Sequence, residues 1–328
     1  MAVFFEHTLI DGIERIEEAV AGTHLEPTQL KPGSILGEMT HLKVGNALLS
    51  TAKISGAFRA YGPLSISDHT VGALLDVAGL NNQWHYHTSS GDLAVVPPGV
   101  EHDARYSKST HWVALSLPLG DLLEGASLHE IRLSEAFWSE PAMYRPPAKL
   151  RPHIVTCIKS ALQHVEGCPG ILEAPYASQA LLDHIVTALL KGYASVAARE
   201  IKGRGGFVRA SRIVRDAEDY VRMHLDQPVR AQELCKHLNV SARTLSRAFK
   251  EKYDLPPAVY LRRWRLCQVR RMLTKSDNSE VSVSGSALAF GFWEFGRFAN
   301  QYRHLFGELP SETLRLSQAA LGRTPKSF

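Results

Sequence analysis

The stretch SARTLSRAFKEKYDLPPAVYLR (residues 241–262) returns 53 positions later in a related form, EFGRFANQYRHLFGELPSETLR (residues 294–315). Apolar residues recur at matching places, three and four positions apart, which is typical of an amphipathic helix. Pro257 and Pro310 match as identities. A helix that is repeated at a fixed spacing, with a polar row on its open side, predicts two copies of one binding unit. Such a pair suits a partner that is itself periodic, and duplex DNA is the obvious one.

The first copy predicts a short helix over residues 229–238, a turn over residues 239–241 and a longer helix over residues 242–253. Asn239 tolerates a left-handed backbone in the turn, and Ser241 is a suitable N-cap. The open side of the longer helix carries three cations and a hydroxyl, which suit base edges and flanking phosphates in a major groove. These candidate DNA-binding residues are Arg243, Ser246, Arg247 and Lys250.

The second copy predicts a lead helix over residues 283–289, a turn at Gly291 and Phe292, and a second helix over residues 294–305. Arginine on such a helix can make paired hydrogen bonds to guanine, and Asn or Gln can make them to adenine. The candidates on its open side are Arg297, Asn300, Gln301 and His304. An ordinary helical domain with solvated polar rows is the alternative, and the matched second row argues against it.

A cationic amphipathic helix is predicted between the two copies, over residues 259–273. Its candidate core residues are Tyr260, Trp264, Cys267 and Met272. Four arginines are expected to face outward, namely Arg262, Arg263, Arg270 and Arg271. Such a helix would hold the two binding units about 34 Å apart, which is one turn of the DNA groove.

In order and spacing, residues 209–315 resemble the DNA-binding domain of the AraC/XylS family of bacterial transcription regulators. The segments that carry the resemblance are SARTLSRAFK (241–250), PAVYLRRWRL (257–266), GFWEFGRFANQYRHLFG (291–307) and LPSETLR (309–315). The resemblance implies two helix-turn-helix units joined by a long helix, with double-stranded DNA and RNA polymerase as partners. By position it implies base-facing roles for Arg243, Ser246 and Arg247 in the first unit, and for Gly296, Arg297 and Asn300 in the second.

The chain departs from the family pattern at Ser286, where a branched apolar residue is usual, and at Val269, where a small residue is usual. Residues 281–286, VSVSGS, are also poor in helix formers. We therefore expect the lead helix of the second unit to be less stable than that of the first.

The net charge of +4 conceals an uneven distribution. Residues 205–328 carry 21 Lys and Arg against 12 Asp and Glu, whereas residues 1–204 carry 16 against 21. A basic part joined to an acidic part is typical of a polyanion-binding module attached to a module with another task. No run approaches the roughly 20 apolar residues that cross a bilayer. The first residues lack the features of a secretory signal, and the four cysteines lack zinc spacing, so a cytoplasmic protein with reduced thiols is expected.

Closely spaced apolar runs and turn signals between residues 35 and 118 predict short antiparallel strands, and two amphipathic patterns at 150–165 and 177–196 predict a helical hairpin. The predicted fold class is α+β, with an N-terminal antiparallel cupin-like β barrel and helical hairpin followed by an all-α double helix-turn-helix domain. The predicted segments are a cupin-like sensor domain (1–145), the hairpin as a cap or dimerisation element (146–198), a linker (199–208), the DNA-binding domain (209–316) and a flexible tail (317–328).

Two short motifs of the N-terminal part are similar to the motifs of cupins, which the sensor domains of the family resemble. One contains His85 and His87 and the other ends at His102, with a hairpin turn predicted at residues 89–91 between them. The spacing departs from that of metal-binding cupins and the usual glutamate is missing, so we predict no metal and no cofactor. The resemblance implies a small-molecule pocket, whose candidate residues are Trp84, His85, Tyr86, His102, Arg105 and Tyr106.

These patterns predict a sequence-specific DNA-binding transcriptional regulator and not an enzyme. Its N-terminal domain would bind a small-molecule effector or form a homodimer. One alternative is a cupin-type metalloenzyme with an accessory helical domain, in which His85, His87 and His102 would hold the metal. The other is an effector-independent regulator whose N-terminal half serves only for dimerisation.

Overall fold

The computed structural model describes residues 3–20, 25–131, 133–167, 175–196, 205–224, 229–275 and 281–321. Antiparallel strands occupy the first part of the chain and helices the last part, so the α+β class is confirmed. In the described ranges, no helix is long and apolar enough to span a membrane.

The strands form two antiparallel sheets. The seven-stranded sheet has the order β1 (Val3–Ile10), β3 (Leu36–Val44), β4 (Ala47–Ser55), β11 (Ser109–Leu117), β6 (His69–Val77), β9 (Leu93–Val96) and β12 (Ala142–Tyr144). The five-stranded sheet has the order β2 (Glu26–Gln29), β5 (Phe58–Pro63), β10 (Glu101–Tyr106), β7 (Asn81–Gln83) and β8 (Tyr86–Thr88).

One apolar cluster joins the two sheets. It includes Met39 and Ile54 from the larger sheet and Phe58 and Ala60 from the smaller one. The sheets therefore pack face to face, as alternating inward apolar residues require. The described strands do not close into a single hydrogen-bonded ring, so a closed barrel is not confirmed.

The reversal of the chain near His85 differs from the prediction. β7 and β8 form a hairpin with Gln83 opposite Tyr86, so the chain turns at Trp84 and His85. Trp84 adopts a left-handed backbone there, with a φ of 49°. The hairpin predicted at residues 89–91 is wrong, because this segment leads from the smaller sheet to β9 in the larger one.

Five helices accompany the strands in the described N-terminal part: α1 (Ile13–Ala19), α2 (Leu119–Leu128), α3 (Glu135–Trp138), α4 (Arg151–Gly167) and α5 (Pro175–Ala194). α4 and α5 share an apolar cluster with the larger sheet. The hydroxyl of Tyr193 near the end of α5 donates to the backbone oxygen of Ala94 in β9, at 2.6 Å. The two helices therefore cap this sheet, and the connection between them, which the predicted helical hairpin requires, lies outside the described residues.

The last part of the chain contains α6 (Gly205–Arg222), α7 (Ala231–His237), α8 (Ala242–Tyr253), α9 (Pro257–Thr274), α10 (Val283–Ala289), α11 (Phe295–Phe306) and α12 (Pro310–Leu321). α6 begins inside the predicted linker, where buried Phe207 stacks on the ring of His87 with centroids 4.7 Å apart. α12 includes residues 317–321 of the predicted flexible tail, and the Ser317 hydroxyl donates to the Thr274 carbonyl at 2.9 Å.

The sequence repeat is also a structural repeat. α8 and α11 begin 53 positions apart and end 53 positions apart. Each helix ends in a left-handed residue, Asp254 with a φ of 57° and Gly307 with a φ of 85°. The predicted turn before α8 is present as well, with Asn239 at a φ of 50° and the Ser241 hydroxyl accepting from the Thr244 amide at 3.1 Å. The two units therefore share one local geometry.

Candidate nucleic-acid interface

α8 separates an apolar side from a polar side. Leu245 and Phe249 are buried in a cluster that α6 and α9 share. The candidate residues on the other side are all exposed, namely Arg243, Ser246, Arg247 and Lys250. Lys250 pairs with Asp254 at 2.5 Å, whereas no ion pair of Arg243 or Arg247 is found within the described ranges. These two guanidinium groups are thus available to bases or phosphates.

α11 has the same division, with Phe298, Tyr302 and Leu305 buried. Of its candidates, Gly296, Arg297, Asn300 and His304 are exposed and Gln301 is half-buried. A side chain added at Gly296 would meet nothing within 4 Å, so this part of the helix surface is open to a partner. Sequence analysis missed Arg303, which is exposed and lies 53 positions after Lys250. Adding 53 to every candidate of the first unit would have found it.

The lead helix α10 of the second unit begins at Val283, as predicted. Ser282 caps it, since its hydroxyl accepts from the amide of Gly285 at 3.0 Å. Ser286 is buried, and its hydroxyl finds no hydrogen-bond partner among the described residues. A buried polar group without a partner costs stability. The expectation of a weaker lead helix stays a prediction that this cost supports.

The outward orientation predicted for Arg270 and Arg271 of α9 is wrong. Arg270 makes two hydrogen bonds to Glu14 of α1, at 2.6 and 3.0 Å, and Arg271 makes two to Glu17, at 2.6 and 2.5 Å. Lys275 also reaches Glu17, at 2.5 Å. The acidic N-terminal part therefore neutralises cations of the basic C-terminal part, and the charge excess overstates the surface left for DNA. Met272, predicted in the core, is 38% exposed.

This contact predicts a pH dependence of stability. Burial raises the pKa of Glu17, but hydrogen bonds from Arg271 and Lys275 outweigh it and hold the pKa below the ordinary 4.5. The unfolded chain therefore binds the proton first, so the stabilisation is complete above pH 4.5 and is lost as the pH falls further. Glu17→Gln is expected to lower the free energy of unfolding by about 1 kcal/mol at pH 7. Urea unfolding at pH 7 and pH 3.5 should show a smaller acid loss for this variant.

The control for that comparison is Glu124→Gln, which changes an exposed carboxylate on α2. It should leave the free energy of unfolding and its pH dependence unchanged. An equal acid loss in Glu17→Gln and in the unchanged protein would contradict the role of Glu17.

A second and deeper contact joins the sheets to the DNA-binding helices. Arg59 of β5 bonds to Asp103 of β10 at 2.8 Å and to Glu218 of α6 at 2.8 Å. Lys252, near the end of α8, donates to Asp103 at 2.6 Å. All four side chains are buried, and we call them the buried ion network. Tyr260 of α9 donates to Glu218 at 2.5 Å, so the network also fixes the connecting helix.

The backbone ends of both repeated helices bond to the β domain. The carbonyl of Lys252 in α8 accepts from the side-chain amide of Asn82 at 3.0 Å and from Arg105 at 3.2 Å. The carbonyl of Leu305, 53 positions later in α11, accepts from the side-chain amide of Gln29 at 3.0 Å. The five-stranded sheet thus supports both units at equivalent points.

A cavity of about 100 Å³ lies between the two sheets. Its lining is mostly apolar and includes no Asp, Glu, Lys or Arg. Gln83 and His102 contribute a polar pair, with their side-chain nitrogens 3.3 Å apart. Burial lowers the pKa of His102 to about 4, so this imidazole is neutral at pH 7.

The six candidate pocket residues divide between different surroundings. His102 and Tyr106 line the cavity. Arg105 points to α8, as its bond to Lys252 shows. The Trp84 indole donates to the Glu101 carbonyl at 2.8 Å, and the rings of His85 and Tyr86 lie 4.0 Å apart. Across the part of the chain that the structure describes, no group of three His, Cys, Asp or Glu residues could hold a metal ion.

Two helix-turn-helix units with exposed cations, supported by a β domain that encloses a cavity, define a DNA-binding transcriptional regulator. Residues 234–316 match the family model of a helix-turn-helix domain. XylDLEGF operon transcriptional activator 2 of Pseudomonas putida is 31% identical over 132 residues, which are 40% of this chain and 81% of that relative. The chain belongs to the AraC/XylS family of transcriptional regulators.

Two further relatives from Pseudomonas putida match more of the chain. XylDLEGF operon transcriptional activator 1 is 26% identical over 301 residues, covering 87% of this chain and 86% of that protein. XylDLEGF operon transcriptional activator 3 is 28% identical over 242 residues, covering 70% of this chain and 66% of that protein. All three relatives are named as transcriptional activators, and none as an enzyme.

Proposed function

We propose that a small uncharged molecule, held between the two sheets, sets the DNA affinity of this transcriptional regulator. The observation that carries the proposal is the alternation of side chains along two strands. On β5, Phe58 and Ala60 line the cavity and Arg59 between them enters the buried ion network. On β10, His102 lines the cavity and Asp103 enters the network. Neighbouring residues of a strand point to opposite faces of the sheet. A molecule that displaces the strand residues lining the cavity therefore also displaces their neighbours in the buried ion network, which holds α8.

The lining determines the chemistry of the molecule. A carboxylate or ammonium group would lose its hydration without meeting an opposite charge, which is costly. A mostly apolar compound with one polar atom near Gln83 and His102 avoids that cost. A dry apolar cavity of roughly 150 Å³ binds benzene in another protein. At about 100 Å³ this cavity is smaller but of the same order, so a compound with no more than one ring suits its size.

The test uses the full-length protein and a duplex selected by it from random DNA. Benzyl alcohol and benzoate are the probes, because they share a ring and differ in charge. Benzyl alcohol should raise the melting temperature and change the affinity for the selected duplex by roughly 5- to 150-fold. Benzoate should do neither.

The variant Ala60→Phe fills the cavity, and Ala180→Phe on the exposed side of α5 is its control. Ala60→Phe should abolish the response to benzyl alcohol while Ala180→Phe keeps it. A response to benzoate alone, or an equal response in both variants, would contradict the proposal.

The remaining expectations have the family resemblance as their support. They are a cupin-like arrangement of the N-terminal sheets, the domain boundaries given above, formation of a homodimer and contact with RNA polymerase. Analytical ultracentrifugation over a range of concentrations tests the homodimer directly. The base-facing roles of the exposed residues on α8 and α11 also remain proposals, which selection of duplexes by variants tests.

A further inference from the structure

The repeat fixes which residues of the two recognition helices are equivalent. α8 and α11 start and end in the same register, 53 positions apart. The row of the first unit therefore corresponds to Gly296, Ala299, Asn300 and Arg303. The row that sequence analysis assigned to α11 starts at Arg297, one position later. One position is about 100° around a helix, so Arg297 faces a different direction from the row of the first unit.

Arg297 faces a cleft between α11 and the first half of α9. The cleft has a volume of about 490 Å³. The cleft is lined by Arg297, Asn300, Gln301 and His304 of α11 on one side and by Arg262 and Arg263 of α9 on the other, with the apolar Leu266 and Leu305 completing the lining. No carboxylate lines the cleft along the described residues. Three guanidinium groups therefore share a partly enclosed space with no acidic side chain on its walls.

The sequence repeat does not account for the positive charge that Arg297 brings to the cleft. At the places of Arg297, Gln301 and His304, the first unit has Thr244, Ala248 and Glu251. Arg262 and Arg263 also repel each other. The pKa of Arg263 is lowered, first by burial and then by the positive charge of Arg262. Arg263 is partly occupied, since it donates to the backbone oxygen of Leu30. The nearby carboxylate of Glu294 lies 3.7 Å from Arg297, and both side chains are mostly exposed, so this pair is weak.

An anion would stabilise such a cleft, and α11 beside it is the proposed recognition helix of the second unit. When a recognition helix lies in the major groove, the sugar-phosphate backbone passes along its flanks. Arginine binds phosphate through paired hydrogen bonds. We propose that the cleft between α9 and α11 binds a phosphodiester of the DNA backbone, with Arg262 and Arg297 as its ligands. The proposal rests on the DNA-binding function, and it moves Arg297 from base recognition to phosphate binding.

Single methylphosphonate substitutions in the selected duplex test the proposal, because each one removes the charge of one phosphate. With the full-length protein, the substitution at the phosphate that the cleft binds should weaken the affinity for the duplex. In Arg297→Ala and in Arg262→Ala, this penalty in affinity at that position should vanish. The matched control is Arg303→Ala, an exposed arginine on the same helix that lies outside the cleft. It should keep the penalty at that position.

The affinity for random DNA provides a second measurement. Arg297→Ala should weaken specific and random duplexes by the same factor and reduce the slope of log affinity against log salt by about 0.9. Arg297→Lys should retain most of the affinity, because lysine binds phosphate as a point charge but cannot replace paired contacts to guanine.

Two results would overturn the proposal. One is a loss of discrimination at a single base pair in Arg297→Lys with unchanged affinity for random DNA, which would make Arg297 a base-reading residue. The other is a methylphosphonate penalty that persists in Arg297→Ala and Arg262→Ala at every position. Failure of the unchanged protein to select any duplex is a distinct result, since it would overturn the DNA-binding function itself.

Discussion

Arg59→Met is expected to lower the free energy of unfolding by about 3–5 kcal/mol, because it removes one partner from a buried ion network. Arg59 is 1% exposed and bonds to both Asp103 and Glu218. Without it, the hydrogen-bond donors to Glu218 that remain among the described residues are the hydroxyls of Tyr253 at 3.0 Å and Tyr260 at 2.5 Å. Urea unfolding, followed by circular dichroism at constant pH, measures the loss.

Two further variants separate the network from a general effect of removing arginine. Arg15→Met removes an exposed arginine that pairs with Glu18 at 2.7 Å, and it should cost less than about 1 kcal/mol. The double variant Arg59→Met with Glu218→Gln should recover part of the loss, since position 218 then carries no buried negative charge that lacks its cation. If Arg59→Met costs no more than Arg15→Met, the network does not contribute as argued.

Arg247→Ala is expected to reduce the affinity for the selected duplex by roughly 5- to 150-fold, with a much smaller loss on random DNA. Arg247 is exposed, opposite the buried side of α8, and it corresponds by the repeat to Asn300 of α11. We propose that Arg247 faces the major groove, so its loss should relax the choice of base at one position. Fluorescence anisotropy on duplexes that vary at each base pair measures the effect.

The control is Lys191→Ala, which removes an exposed cation from α5 on the N-terminal part. It should leave the affinity for both duplexes unchanged. An equal loss on selected and random DNA in Arg247→Ala would instead assign Arg247 to the phosphate backbone.

The exposed and buried sides of α8 have different surroundings. Arg247 and its neighbours lie on the open side, while Lys252 near its end lies in the buried ion network. The five-stranded sheet therefore contacts α8 directly, through the bond between Asp103 and Lys252. Among the described residues, α11 hydrogen-bonds to the same sheet through the carbonyl of Leu305 and Gln29, and Phe306 packs against the apolar cluster that joins the two sheets. The buried ion network therefore involves the first unit and not the second.

Sequence alone was sufficient for features that local patterns encode. The 53-residue repeat predicted α8 and α11 within one residue, and the N-cap at Ser241 was predicted from the residue type. Apolar periodicity works here because each helix buries one side whatever its tertiary neighbours are. The family of the protein followed from the same segments. Sequence alone did not decide which side of α11 corresponds to the exposed row of α8, because the row that starts at Gly296 and the row that starts at Arg297 both contain polar residues.

Only the tertiary structure decided how the two halves meet. Arg270 and Arg271 have the pattern of solvent-facing cations. They are neutralised, however, by Glu14 and Glu17, which lie more than 250 positions earlier in the chain. Lys252 looks like a surface lysine, yet Asp103 holds it in the interior. Periodicity reports which residues share a side of a helix or strand, but not which distant segment covers that side. The sequence by itself therefore determined what this protein is, and the packing of the sheets against α6, α8 and α9 decided which of its charges remain for DNA.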